Sequence, residues 1–410
     1  MKELNIIGLG YIGLPTTLMF ANNGMKVVGS DLNKDLVDTL NKGELTFKED
    51  GLKEIFYKSL EKGVKFKCEY VNTDKYIITV PTPYCKDTKK LDPRYVIAAV
   101  KKVLEVCDKG TILVIESTIS PGTIDKFVRP IIEERGFRIG EDIHLVHAPE
   151  RIIPGNMVNE LINNARTIGA DSLEIGNKVK AWYETFCRAE IVVTDIKSAE
   201  LSKVVENTFR DINIAFANEL AKICDRENMD VYELIKIANK HPRVNILQPG
   251  PGVGGHCISV DPWFLVGDYP DIANIIFHAR EVNDCMPKYV FNKIKKIMKE
   301  NNINDFSKIG LYGMTYKENV DDLRESPTLQ LLEVLEENGI DKFKIYDPYF
   351  REKKKCKQQV SDLNEFIDNS EIIVIMVNHN EIKEQQEILI NKVVYDTKNI
   401  IKKAKVLYKL

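Results

Sequence analysis

The stretch Gly8-Leu9-Gly10-Tyr11-Ile12-Gly13 narrows the possible folds more than any other part of the sequence. It follows an apolar run, Leu4–Leu9, and opens a helical pattern with Pro15 in its first turn, where a missing N–H costs nothing. Glycines at these three positions allow a tight turn, close approach of backbone to a pyrophosphate, and close packing of helix on strand. The helix N-terminus then faces the phosphates. Alone the pattern is weak. Its context makes it specific: a strand before, a helix after, and Asp31 at the end of the next strand. A carboxylate there hydrogen-bonds ribose hydroxyls and repels a 2′-phosphate, so NAD is expected rather than NADP. The expected cofactor contacts begin with Gly8, Gly10, Tyr11, Ile12, Gly13 and Asp31.

Strand patterns recur at Lys26–Ser30, Lys75–Val80, Thr111–Glu116, Ile143–His147 and Glu190–Thr194. Several are apolar on both faces, as parallel strands covered by helices should be. The loops after them, Pro81-Thr82-Pro83, Glu116-Ser117-Thr118 and Ala148-Pro149-Glu150-Arg151, should face the crevice beyond the carboxyl ends of the strands. Each also reads as an ordinary turn or cap. From about Asp195 long helical patterns take over, with Leu201, Val204, Val205, Ile212, Ala215, Phe216 and Ile223 in one mostly apolar stripe. Strands return at Lys308–Gly313, Lys344–Tyr346, Ile372–Val377 and Val393–Tyr395, with a helix at Pro327–Asn338. The predicted class is α/β: two Rossmann-like parallel-sheet domains joined by a helical middle section. The predicted boundaries are 1–196, 197–302 and 303–410.

A net charge of −3 gives no reason to expect a nucleic-acid or membrane partner. No apolar run approaches the ~18 residues that span a bilayer, and no apolar signal region opens the chain, so a cytoplasmic location is expected. The eight cysteines include no CxxC pair, which argues against a disulfide framework and a zinc site alike; no metal is expected.

Cys257 sits differently from the other seven. It ends Gln248-Pro-Gly-Pro-Gly-Val-Gly-Gly-His-Cys257, and Asp261 and Pro262 follow. A sulfur beside oriented backbone N–H groups, at the start of a helical turn, is favoured as thiolate. One such turn would bring the Asp261 carboxylate alongside it, and Pro262 predicts that the turn ends there. The plainer alternative is a buried cysteine in a tight loop.

These motifs together resemble the UDP-glucose/GDP-mannose dehydrogenase family, and the resemblance runs essentially end to end. It is carried by the opening fingerprint, Glu116-Ser-Thr-Ile-Ser-Pro-Gly-Thr123, Ala148-Pro-Glu-Arg151, the Lys203 helix, the Cys257 loop, and Gly313-Met-Thr-Tyr-Lys317 with Leu323-Arg-Glu-Ser-Pro327. His241 to Cys257 is most similar to the UDP-N-acetylmannosamine 6-dehydrogenase branch; His256 departs from the Gly-Gly-Ser-Cys of the glucose branch. The resemblance implies a four-electron oxidation of a UDP-sugar by two NAD. It implies Cys257 as nucleophile, Lys203 as the residue handling alcohol and oxyanion charge, Asn207 as its hydrogen-bonding partner, and Asp261 assisting proton transfer. Thr118 and Glu150 would lie near the hydrolytic water. Thr82, Thr118 and Arg324 would complete the NAD contacts. Arg151, Ile152, Arg210, His241, Arg243, Gly254, Tyr316, Lys317 and Lys398, with Lys203 and Asn207, would hold the UDP-sugar. Helices of the middle section would pair two subunits in a homodimer or higher homo-oligomer.

Lys203, Asn207 and Arg210 fall at i, i+4 and i+7, so they share a helix face opposite the Leu201/Val205/Ile212 stripe. Any surface helix shows such a polar face. Two other functions fit parts of the sequence. A two-electron β-hydroxyacid dehydrogenase would leave Cys257 without a role, and a non-catalytic NAD-binding regulator would not need Lys203, Cys257 and Asp261 together. Within the family, UDP-N-acetylglucosamine and UDP-glucose are alternative substrates.

Overall fold

A computed structural model describes residues 3–85, 87–255, 257–351 and 354–410; His256 lies outside the described residues. The chain divides into two compact units, Met1–Glu206 and Asn207–Leu410.

The first unit is built on an eight-stranded sheet. Its strands are β1 (Leu4–Ile7), β2 (Val27–Ser30), β3 (Lys65–Lys67), β4 (Lys75–Ile78), β5 (Thr111–Ile115), β6 (Ile143–His147), β7 (Arg166–Ala170) and β8 (Ile191–Thr194), in the order β3-β2-β1-β4-β5-β6-β7-β8. All neighbours are parallel except β6 and β7. Alternating side chains feed two cores. Ile77, Val114 and Val146 pack on one face, and Tyr76, Ile78, Leu113, Ile115 and Leu145 on the other. The strand order reverses between β1 and β4, so the crevice lies beyond Ile7 and Ile78. The fingerprint loop, Pro81–Pro83, Glu116–Thr118 and Ala148–Arg151 all follow strands that end at that edge.

The second unit carries a five-stranded, all-parallel sheet in the order β10-β9-β11-β12-β13. These are β9 (Ile309–Tyr312), β10 (Lys344–Tyr346), β11 (Ile372–Ile375), β12 (Val393–Asp396) and β13 (Val406–Lys409). Helical residues Ala217, Ala221, Val231, Ile235, Met286 and Val290 share one core with Leu311, Ile345 and Val374 of this sheet. The two sheets repeat one device. Gly8 and Gly313 both have φ +94°. The next residue's N–H is accepted by an aspartate ending the neighbouring strand: Leu9 to Asp31 at 2.7 Å, and Met314 to Asp347 at 2.6 Å.

The structure corrects two expectations. The helix Ile196–Glu227 buries its polar face: Lys203, Asn207, Asp211 and Asn218 are at most 6% exposed. Leu201, Val205, Phe209, Phe216 and Ile223 are 41–65% exposed, and Arg210 does not share the burial of Lys203 and Asn207. Periodicity finds two faces but ranks them by hydropathy, and that ranking fails where buried polar groups satisfy one another. Asp211 is held by Arg280 at 2.6 Å and Asn283 at 2.8 Å, and Asn218 donates to Asn283 at 2.8 Å. Pro262, expected to end a turn, instead opens the helix Asp261–Asp268 from its first turn. Its missing N–H costs no hydrogen bond there.

His147, at the end of β6, is fully buried with Nδ1 2.8 Å from the Ile115 carbonyl. Burial lowers its pKa to about 4. A histidine that must stay neutral in the fold contributes stability above pH 6.5 and loses it as pH falls toward about 4. His147→Asn, whose amide can donate to the same carbonyl, should remove this part of the acid destabilisation, on the order of 3 kcal/mol. Denaturant melts of both proteins across that pH range measure the difference.

Candidate functional site

The first unit presents a dinucleotide cradle. A Cβ on Gly8 would come within 2.8 Å of the Thr79 carbonyl oxygen, and one on Gly13 within 1.7 Å of the Gly8 oxygen. Both glycines are therefore fixed by backbone packing. Gly10 differs, since a Cβ there would meet nothing within 4 Å, leaving its open side for a ligand. The helix Gly13–Asn22 begins without a side-chain cap among the described residues, and the positive end of its dipole favours phosphate oxygens there. Tyr11 packs on Phe47 with ring centroids 4.4 Å apart. The second oxygen of Asp31 accepts from Asn33 N at 2.8 Å, which fixes the carboxylate at the rim. These features fit a dinucleotide. Thr82 is buried, and Thr118 is half-buried beside Ser117, whose hydroxyl donates to the Val80 carbonyl at 2.8 Å.

Beyond β6, Glu150 is 6% exposed and accepts from the Arg151 N–H at 2.6 Å. Arg151 bonds the Ala165 carbonyl at 3.0 Å, Thr167 Oγ1 at 2.9 Å and Glu206 at 2.7 Å. Ile152 is buried. Lys203 completes the predicted residues of this unit, buried on the long helix one turn before Asn207.

The second unit shapes the cysteine loop. Cβ atoms on Gly254 and Gly255 would lie within 2.6 Å of the Glu325 carbonyl oxygen and 2.8 Å of the Tyr316 ring. Gly252, at φ +140°, packs on Pro327. Gly255 N donates to the Arg324 carbonyl at 3.0 Å, and Gly250 N to Asn218 Oδ1 at 2.9 Å. Held on both sides, the loop delivers Cys257 into a turn in which Val260 N and Asp261 N both donate to the Cys257 carbonyl, at 3.1 and 2.8 Å. Asp261 is 2% exposed and accepts from the Asn207 amide at 2.6 Å. Cys257 is half-buried, and the Arg324 guanidinium is near enough for the two to interact electrostatically. Arg324 itself is clamped by Asp322 at 2.6 Å.

Tyr316 and Lys317 follow β9, and Lys398 follows β12, at the carboxyl edge of the second sheet. The Lys398 ammonium sits 3.3 Å from where a Gly250 Cβ would project. Burial lowers its pKa, with Glu318 and Asp396 opposing the shift. The second unit thus gathers Cys257, Asp261, Asn207, Gly254, Tyr316 and Arg324 around one loop, while Arg210, His241 and Arg243 are exposed. Sequence reasoning missed Arg166, buried beside Glu150 at the head of β7. A charged residue opening an apolar, β-branched run was its only signal.

A Rossmann cradle for NAD and a second parallel sheet behind a glycine-bound cysteine define an NAD-dependent dehydrogenase of nucleotide sugars. Family models match three consecutive stretches: the UDP-glucose/GDP-mannose dehydrogenase NAD binding domain at 2–187, its central domain at 197–285, and its UDP binding domain at 310–403. The chain belongs to the UDP-glucose/GDP-mannose dehydrogenase family. It is 43% identical to a UDP-N-acetyl-D-mannosamine dehydrogenase of Methanococcus vannielii, across 98% of this chain and 93% of that one. Among solved structures, UDP-N-acetyl-mannosamine dehydrogenase of Staphylococcus aureus superposes with a TM-score of 0.88 at 41% identity, covering 99% and 98% of the two chains. The enzyme of Pyrococcus horikoshii gives 0.90 at 34% identity, covering 99% of each. No helix of the described residues is long and apolar enough to cross a membrane.

Asp31→Ala removes the Leu9 tether and the carboxylate expected to accept from the ribose hydroxyls. NAD affinity should fall about tenfold or more, and the bias against NADP should relax. Titration with each dinucleotide checks this, and an NADP preference in the unmutated enzyme would contradict the role given to Asp31.

Proposed function

We propose that the enzyme oxidises C6 of UDP-N-acetyl-D-mannosamine to the carboxylate, giving UDP-N-acetyl-D-mannosaminuronate, with two NAD consumed and Cys257 as covalent nucleophile. One observation carries this reading: Cys257 opens a helical turn that ends on Asp261, whose buried carboxylate is bound by the Asn207 amide. The names of the relatives support the choice of sugar.

Bound NAD supplies the hydride acceptor for each two-electron oxidation. Lys203 takes the proton of the C6 hydroxyl in the first oxidation and balances the oxygen's charge afterwards. The aldehyde so formed has no alcohol left to oxidise. Addition of the Cys257 thiolate forms a C–S bond and restores a carbinol carbon as a thiohemiacetal. The second oxidation gives a thioester. Water, deprotonated by Glu150, attacks the thioester carbon; the C–S bond breaks, releasing the acid and the thiolate. Asn207 and Asp261 hold the polar network around the sulfur. The UDP moiety is assigned to Arg151, Ile152, Arg210, His241, Arg243, Gly254, Tyr316, Lys317 and Lys398. Arg324, with Thr82 and Thr118, is assigned to NAD.

Subunits pair through the exposed apolar face of the helix Ile196–Glu227. Five large apolar side chains on one helix, Leu201, Val205, Phe209, Phe216 and Ile223, are a costly surface to leave in water. Phe209→Glu should therefore shift the sedimenting species towards monomer, and an unchanged distribution would count against this interface. For the chemistry, Cys257→Ala should abolish acid formation while leaving NAD affinity nearly intact. Uronate formed by that variant at the unmutated rate, followed by mass spectrometry, would rule out covalent catalysis.

A further inference from the structure

The first unit buries a charge cluster that the chemistry above leaves mostly unused. Glu116 directly follows β5, Glu150 follows β6, and Arg166 opens β7; they are 1%, 6% and 4% exposed. One Glu150 oxygen accepts from the Arg151 N–H at 2.6 Å, and the other is bound by Arg166 Nη2. Arg166 Nη1 lies 3.5 Å from Glu116 Oε1 and the Tyr183 phenol faces the same carboxyl, but no well-formed hydrogen bond closes on either oxygen among the described residues. Tyr183 and Phe186 close the pocket, with ring centroids 4.6 and 5.6 Å from the guanidinium carbon.

A lone buried Arg–Glu pair would balance its charges. A second buried glutamate facing the same guanidinium, with only the Tyr183 phenol beside it, is a net cost, so its presence calls for a role beyond packing. We propose that Arg166 and Glu116 are positioning residues for Glu150: the guanidinium fixes the carboxylate, and Glu116 controls how much of the guanidinium Glu150 receives. This rests on the reading of Glu150 as the base for thioester hydrolysis. Two carboxylates facing one guanidinium in a dry pocket do not both ionise at neutral pH. Burial first, and the Glu150 charge second, raise Glu116 well above the usual carboxylate range, with Arg166 opposing. Tyr183 on the following helix and Cys187 beyond it are the other titratable groups facing the cluster, and burial holds the Tyr183 phenol protonated. Arg151, on the Glu150 side, is engaged by Glu206. At neutral pH, then, Glu116 is uncharged and the guanidinium belongs to Glu150. At higher pH Glu116 ionises and competes for it.

The test is the pH profile of kcat for acid formation by the full-length enzyme with NAD and UDP-N-acetyl-D-mannosamine, run on the unmutated protein, Glu116→Gln, Glu150→Gln and Arg166→Lys. Thermal midpoints and NAD affinity verify that each variant is folded. Glu116→Gln cannot ionise and should lose an alkaline decline present in the unmutated enzyme. Arg166→Lys keeps the charge but not the fork; it should lower kcat about tenfold to a hundredfold, with KM little changed and acyl-enzyme accumulating at Cys257. Unmutated behaviour of both variants, with Glu150→Gln impaired, overturns this inference and leaves the Glu150 reading standing. Acid formation by Glu150→Gln at the unmutated rate overturns the Glu150 reading and this inference with it.

Discussion

The close packing of a glycine-rich backbone is the constraint on which the cysteine site depends. Gly254 and Gly255 lie where a Cβ would strike the Glu325 carbonyl oxygen or the Tyr316 ring, and Gly252 is pressed on Pro327. Only a chain without side chains there can approach the second sheet so closely. That approach sets where the turn Cys257–Asp261 begins, and the turn sets the spacing between thiol and carboxylate. Asn207 then fixes the carboxylate from the neighbouring helix.

The same economy appears at both sheets. A glycine at positive φ ends the first strand, and the following N–H is held by an aspartate from the next strand. In the first sheet this leaves a helix N-terminus and an open Gly10 surface, which suit a pyrophosphate. In the second, Asp347 is buried with His379 at 3.2 Å and serves the loop that carries Tyr316 and Lys317. One backbone solution thus supports two nucleotide-binding surfaces with different side chains.

Much of this was legible in the sequence because it rests on local rules. Glycine spacing, strand-terminal aspartates and apolar runs located both sheets, and the predicted strands match the observed ones to within one or two residues at each end. Three strands escaped: β3 and β13, in which charge and apolarity alternate weakly, and β7, which opens on Arg166. Which face of the Lys203 helix is buried was beyond periodicity. Asp261, Arg280, Asn283 and Gly250, which satisfy its polar residues, lie 32 to 72 positions away along the chain. For the same reason, the Glu116–Arg166–Glu150 cluster could not be seen: its members come from three strands, and nothing in the sequence of any one of them announces the other two.

In the proposed mechanism, a thiol at position 257 lets one enzyme carry an alcohol through two oxidations to an acid. The ratio of NADH formed to UDP-sugar consumed decides whether it does. Two NADH per sugar, with uronate as the product, is the predicted result. One NADH per sugar, with aldehyde accumulating, would contradict it.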